Sequence, residues 1–141
     1  GYGLVGTEGA GHFAKMVHNA VEYGMMQSIA EGFDLLKNGS YPNLDLAKIA
    51  HIWNHGTIVS SLLMQMAENA LSKDPQLAIK PYVADSGEGK WAAIEAMHHN
   101  VPFVSNTYAL HARYISRDAN SLSFRLLAAM RAEFGGHEVK R

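Results

Sequence analysis

Apolar positions recur every three to four residues from His12 to about Asn38, the spacing of one long helix. Asn38-Gly39 then supplies a helix stop. Similar patterns predict helices over about 44–54, 57–72, 91–100, 106–117 and 121–134. Their punctuation is Pro42-Asn43, Asp74-Pro75, Pro102, Ser121 as a cap and Gly135-Gly136. Residues 1–11 hold five glycines and read as a flexible lead-in, and residues 73–90, with two prolines and Ser86-Gly87-Glu88-Gly89, read partly as loop. Period-2 alternation is missing, so the fold class is all-α, with one long central helix and five or six shorter ones, in a single domain over 1–141.

On a helical wheel Lys15, His18, Asn19, Glu22 and Tyr23 share one polar stripe, at i, i+3, i+4, i+7 and i+8. The stripe continues as Met26, Ile29, Ala30 and Phe33, and the opposite side carries Phe13, Val17, Ala20 and Val21. A helix apolar around so much of its circumference is expected to be buried, and its polar stripe covered. A covered polar stripe needs partners, and a polar ligand is one way to supply them; a solvated face is the other reading. Lys15 and Glu22 stand about 10 Å apart along the axis, too far for an i,i+4 pair but suited to opposite ends of one small molecule. Under such cover a lysine can serve as base and a glutamate as acid.

Composition narrows the class without choosing the chemistry. The 141 residues are 48% hydrophobic and 18% charged, which is globular. A net charge of -1 argues against a nucleic-acid partner. No apolar run is long enough for a membrane span. The absence of cysteine removes disulfides, thiolate zinc sites and thiol nucleophiles, and fits a reducing, cytoplasmic setting. The chain starts at Gly1 and not at Met, as a fragment or processed chain would.

Several patterns are decoys. Gly1-x-Gly3-x-x-Gly6 has no strand before it and no βαβ unit around it. Ser86-Gly87-Glu88-Gly89-Lys90 lacks the first glycine and the Ser or Thr of a Walker loop. His51 and His55 are an i,i+4 pair without an evident third ligand, so they read as surface or interface histidines and no metal is assigned. His98-His99 suit a helix C-terminus, and Met25, Met26, Met64 and Met66 read as core packing.

One resemblance joins these features. Gly9-Ala10-Gly11-His12-Phe13-Ala14-Lys15-Met16-Val17-His18-Asn19 resembles the G-x-G-x-x-x-K-x-x-x-N signature of the β-hydroxyacid dehydrogenases. Extended through Val21-Glu22-Tyr23-Gly24-Met25-Met26-Gln27, it is similar to decarboxylating 6-phosphogluconate dehydrogenase. Ile52-Trp53-x-x-Gly56-x-Ile58-x-x-Ser61, Gly87-x-Gly89-Lys90-Trp91, Ala112-Arg113 and Arg131-x-x-Phe134-Gly135-x-His137 resemble further motifs of that family. The likeness spans nearly the whole chain, but only the family's C-terminal helical domain.

The resemblance implies oxidative decarboxylation of 6-phosphogluconate to ribulose 5-phosphate, with NAD or NADP reduced and bound mainly by a separate nucleotide-binding domain. It implies Lys15 as the base at the 3-hydroxyl and later the acid at the keto oxygen, and Glu22 as the acid at C1 of the enediol. His18 and Asn19 would hold hydroxyls and carboxylate. Tyr23 and Arg113 would bind the phosphate, with Arg131 and His137 arriving from a neighbouring subunit of a homodimer or a tetramer. Three departures stand out: Ser86 where long-form members carry a phosphate-binding Lys, Ala20 for a usual Gly, and Ser60 for a common Arg. Ser86 keeps open another β-hydroxyacid dehydrogenase with a different hydroxy acid. A stand-alone helical dimerisation or binding module is the non-enzymatic alternative.

Overall fold

Gly9 takes a left-handed conformation, φ 87°, and from it helix α1 runs over Ala10–Asn38. No side chain caps this start; the Ala10 and Phe13 amides donate to the Thr7 and Gly9 carbonyls. At 29 residues α1 is about 43 Å long, and the other elements assemble along it. They are α2 (Leu46–Asn54), α3 (Leu62–Lys73), α4 (Glu88–His98), α5 (Val104–Arg117) and α6 (Leu122–Gly135). The computed structural model describes residues 1–118 and 120–135, the side chains of 127, 128 and 131–135 excepted. Among the described residues every regular element is an α-helix, so the fold is all-α. No helix there is long and apolar enough to cross a membrane.

Two separate cores form on α1. Around Tyr23 gather Ala93 of α4 and Ala109 and Leu110 of α5, with Phe103 against them. Around Phe33 gather Ala50 of α2 and Met64 and Leu71 of α3, with Trp53 tilted against the Phe33 ring. Ten residues separate Tyr23 from Phe33, about 15 Å of helix. Ala92, Ala93 and Ala96 are all buried in α4. Such small side chains let α4 lie close to its neighbours. α2 and α3 are capped at their N-termini by side chains: the Asp45 carboxylate accepts from the Lys48 amide at 3.0 Å, and Ser61 Oγ from the Met64 amide at 3.1 Å.

The structure corrects several expectations. α3 begins at Leu62 and not near residue 57, because Gly56 has φ 88° and the Ser60 amide closes a turn onto the Thr57 carbonyl. α4 begins at Glu88 and not at Trp91, because Gly87, at φ 105°, serves as its N-cap. α1 is not buried all round: with four helices packing at two places along it, Phe13 is 52% and Val21 44% exposed. The polar stripe is likewise uncovered at Lys15 and His18, half-buried at Asn19 and Glu22, and buried only at Tyr23. Of the four methionines expected in the core, Met64 alone is buried; Met25, Met26 and Met66 are exposed.

Candidate active site

The ring of Tyr23 is the base on which the site is built. It reaches the α4 N-terminus, where a Cβ on Gly89 would lie 2.6 Å from Tyr23 Cε2; only glycine permits that approach. Gly87 opens α4 in the left-handed region, so the two glycines of Gly87-x-Gly89 have different duties. On the other side Arg113 of α5 sets its guanidinium carbon 3.5 Å from the Tyr23 ring centroid, a cation–π contact. The Tyr23 hydroxyl accepts from the Ser86 amide at 3.4 Å.

The segment 83–86 is strapped to α5 by three residues at i, i+3 and i+4. Arg113 Nη1 donates to the Ala84 carbonyl at 2.8 Å. Ser116 Oγ accepts from the Val83 amide at 3.0 Å. Arg117 Nε donates to the Val83 carbonyl at 2.9 Å, and its guanidinium pairs with the Asp85 carboxylate. The hydrogen bond from Arg117 holds the Asp85 carboxyl below its ordinary value, helped by the Arg117 charge and the Gly87 amide and opposed by burial.

Two adjoining clefts result, with Asn19 in the wall of both. One, of about 580 Å³, is lined by Lys15, Asn19, Glu88 and Trp91 among others. The other, of about 440 Å³, is lined by Asn19, Glu22, Tyr23, Ser86 and Arg113 with Met26, Ala84 and Asp85. Lys15 Nζ is 3.2 Å from His18 Nδ1, which is also 3.1 Å from Asn19 Oδ1. That nitrogen can accept from the ammonium or donate to the amide oxygen, but not both, so the His18 tautomer selects which neighbour it engages. Ser86 Oγ donates to the Glu88 carboxylate, which together with Glu88's own amide holds that carboxyl below its ordinary value. Burial opposes this, and the Asn19 amide and the Lys15 charge reinforce it more weakly.

Lys15, Asn19, Glu22, Tyr23 and Arg113 thus meet at one double cleft, with His18 at its edge. Arg131 lies on α6, and nothing of its side chain is described; His137 falls outside the described residues. The sequence reading did not anticipate Glu88, which joins the site through Ser86, or the Asp85–Arg117 pair, which shapes its rim. These partners are far from α1 in the chain, and no local spacing announces them.

Comparison with known proteins agrees with these motifs. The family model for the 6-phosphogluconate dehydrogenase C-terminal domain matches residues 11–121. YqeC of Bacillus subtilis (strain 168), named provisionally as a 6-phosphogluconate dehydrogenase, is 41% identical over 142 residues, covering 100% of this chain and 48% of YqeC. An NAD(+)-dependent, decarboxylating 6-phosphogluconate dehydrogenase of Haloferax volcanii is 39% identical over 143 residues, again 100% of this chain and 48% of that protein. The decarboxylating 6-phosphogluconate dehydrogenase of Escherichia coli (strain K12) is 34% identical over 145 residues, 96% of this chain and 31% of that protein. The chain therefore spans about half the length of the first two relatives and a third of the last. With the motifs on α1, the Gly87-x-Gly89 turn and a family match over most of its length, the chain belongs to the 6-phosphogluconate dehydrogenase C-terminal domain family.

Proposed function

We propose that this chain is the substrate-binding domain of an enzyme that oxidises and decarboxylates 6-phosphogluconate to ribulose 5-phosphate. The observation that carries the reading is the shared wall at Asn19. It joins a cleft containing Lys15 to one containing Glu22, Tyr23 and Arg113, so one elongated sugar acid can meet all of them. Lys15 takes the proton from the 3-hydroxyl as hydride leaves C3, and returns it to the keto oxygen as the C1 carboxylate departs as carbon dioxide. Glu22 then protonates C1 of the enediol. Lys15 and Glu22 act on atoms only two carbons apart, so both side chains must converge from separate turns of α1 on the C1–C3 end of the substrate. His18 and Asn19 bind hydroxyls and carboxylate, and His18, in contact with Lys15, can relay its proton. Tyr23 and Arg113 hold the phosphate, joined by Arg131 and His137 from the partner copy of a homodimer or tetramer. An arginine fork matches phosphate oxygens in number and direction.

The nicotinamide, NAD or NADP, accepts the hydride when bound. The described residues form no strand and hence no βαβ nucleotide site, so no contact to it is assigned here. A cytoplasmic enzyme is the setting this chemistry fits.

The test is steady-state kinetics of the intact enzyme with Lys15→Met and Glu22→Gln. Each substitution should lower kcat about 10²–10⁴-fold, the usual worth of a positioned acid or base. Calorimetric binding of 6-phosphogluconate should stay within about tenfold. Near-normal kcat in both variants would overturn the assignment.

A further inference from the structure

His51 and His55 sit one turn apart at the end of α2, and the fold brings to them a residue that their spacing does not reveal. Glu68 of α3, 17 positions from His51, places Oε1 2.9 Å from His51 Nδ1. One ligand atom from each of the three residues lies within 4.8 Å of the others, and the imidazole centroids are 4.1 Å apart. We propose that His51, His55 and Glu68 form a binding site for one divalent transition-metal ion, Zn²⁺ by its donor set.

Two imidazoles and a carboxylate are a zinc set that leaves a coordination position open. With metal–ligand bonds of about 2.0–2.1 Å, tetrahedral ligands stand roughly 3.3 Å apart. His51 and Glu68, at 2.9 Å, are already near that separation, and His55 stands beside them. The Nδ1–H that His51 directs at Glu68 marks the place a cation would take; on binding, the neutral ring carries its hydrogen on Nε2 and offers the Nδ1 lone pair.

The surroundings suit a ligand set. His55 Nδ1 lies 2.7 Å from the His51 carbonyl, an acceptor only, so Nδ1 carries the hydrogen and Nε2 the lone pair. A backbone carbonyl on the far nitrogen is the common orienting partner of a metal-bound histidine. The second oxygen of Glu68 accepts from Gln65 Nε2 at 3.3 Å, and Gln65 Oε1 accepts from Asn54 Nδ2 at 2.9 Å. That chain of amides ties the carboxylate to the end of α2. The Glu68 side chain is only 17% exposed, while His51 is open to solvent, which gives a held anion and an entry path. Lys15 and Phe33 are about 27 Å apart along α1, and α2 and α3 pack at the Phe33 end, so the ion would brace two helices remote from the sugar-acid clefts.

The experiment titrates the intact, tag-free protein with ZnCl₂ by calorimetry, and with CoCl₂ by visible absorption and histidine-ring NMR. One equivalent of Zn²⁺ should bind. Co²⁺ should give the intense bands of a four-coordinate site and paramagnetically shift the His51 and His55 rings. His55→Gln and Glu68→Gln should each weaken Zn²⁺ at least tenfold, while His99→Asn, which breaks the His99–Glu95 pair at 3.1 Å, should not. Unchanged affinity in both site variants would overturn the proposal. So would unshifted His51 and His55 rings at saturating Co²⁺ in the unmodified protein, a result that depends on no variant folding. Either would leave His51–Glu68 as a hydrogen bond alone.

Discussion

The guanidinium carbon of Arg113 stands 3.5 Å from the centroid of the Tyr23 ring, which is itself closed in from the α4 side at Gly89. This stack fixes the plane of the guanidinium. One of its nitrogens is committed to the Ala84 carbonyl and another lies 3.8 Å from Met26 Sδ, so the fork is braced at the cleft wall and not free in solvent. A lysine could supply the charge at this place but not the plane.

Replacing Arg113 should therefore separate phosphate recognition from chemistry. Charge-assisted hydrogen bonds are worth about 1.5–3 kcal/mol, or roughly 10–100-fold in affinity. In the intact enzyme Arg113→Ala should raise KM for 6-phosphogluconate by about that upper factor and Arg113→Lys by the lower, with kcat less affected. Turnover of unphosphorylated gluconate should hardly move. Equal losses on the two acids would take the phosphate role away from Arg113 and favour a different hydroxy acid.

Gly89→Ala tests the packing beneath that stack. The added methyl would meet Tyr23 Cε2 at 2.6 Å and Cδ2 at 2.8 Å, and a buried ring between two helices has little room to retreat. Overpacking of this kind costs about 1–3 kcal/mol. Urea unfolding should show a lower midpoint at constant slope, and Arg113 should lose its platform, so KM for the phosphorylated acid rises as well. Full stability together with normal KM would show that the ring shifts freely.

The Asp85–Arg117 pair should give the stability curve an acid limb. Its Asp85 carboxyl is held below the ordinary value of 3.8, so the folded state binds that proton less readily than the unfolded chain. The stabilisation is complete well above 3.8, declines as pH falls past that value, and vanishes below the lowered value in the fold. Asp85→Asn should reduce Tm at pH 7, and the difference from the parent protein should shrink steadily as pH drops through the acid range. A gap independent of pH would mean that the carboxylate charge is not what holds the 83–86 segment.

Much of this arrangement was legible in the sequence because it is local. The 3.6-residue period set out α1, and the stripe from Lys15 to Tyr23 follows from that period alone. The resemblance of the Gly87-x-Gly89 and Ala112-Arg113 segments to one family pointed to neighbours of that stripe. What escaped depended on backbone signs or on long-range partners. The starts of α3 and α4 hang on positive φ at Gly56 and Gly87, which composition does not reveal. Met25, Met26 and Met66 follow the helical period yet face outward, because periodicity tells which side chains share a face and not whether another element covers it. Asp85–Arg117 and His51–Glu68 join residues 32 and 17 apart, distances no helical or strand spacing encodes.

The division of the interior into two clusters makes a prediction of its own. Met64 is 1% exposed and packs in the Phe33 cluster with Ala50 and Leu71, while the two clefts that share Asn19 lie beside the Tyr23 cluster. Met64→Ala deletes the centre of the first and should cost about 2–5 kcal/mol, the range for a large buried side chain truncated to alanine. If the clusters are energetically distinct, that loss appears as local opening of α2 and α3. Amide exchange should then accelerate in residues 46–54 and 62–73, while amides of 88–98 and 104–117 keep their protection. Uniform acceleration through all four helices would show instead that α1 transmits the defect along its length, so that the two cores unfold as one.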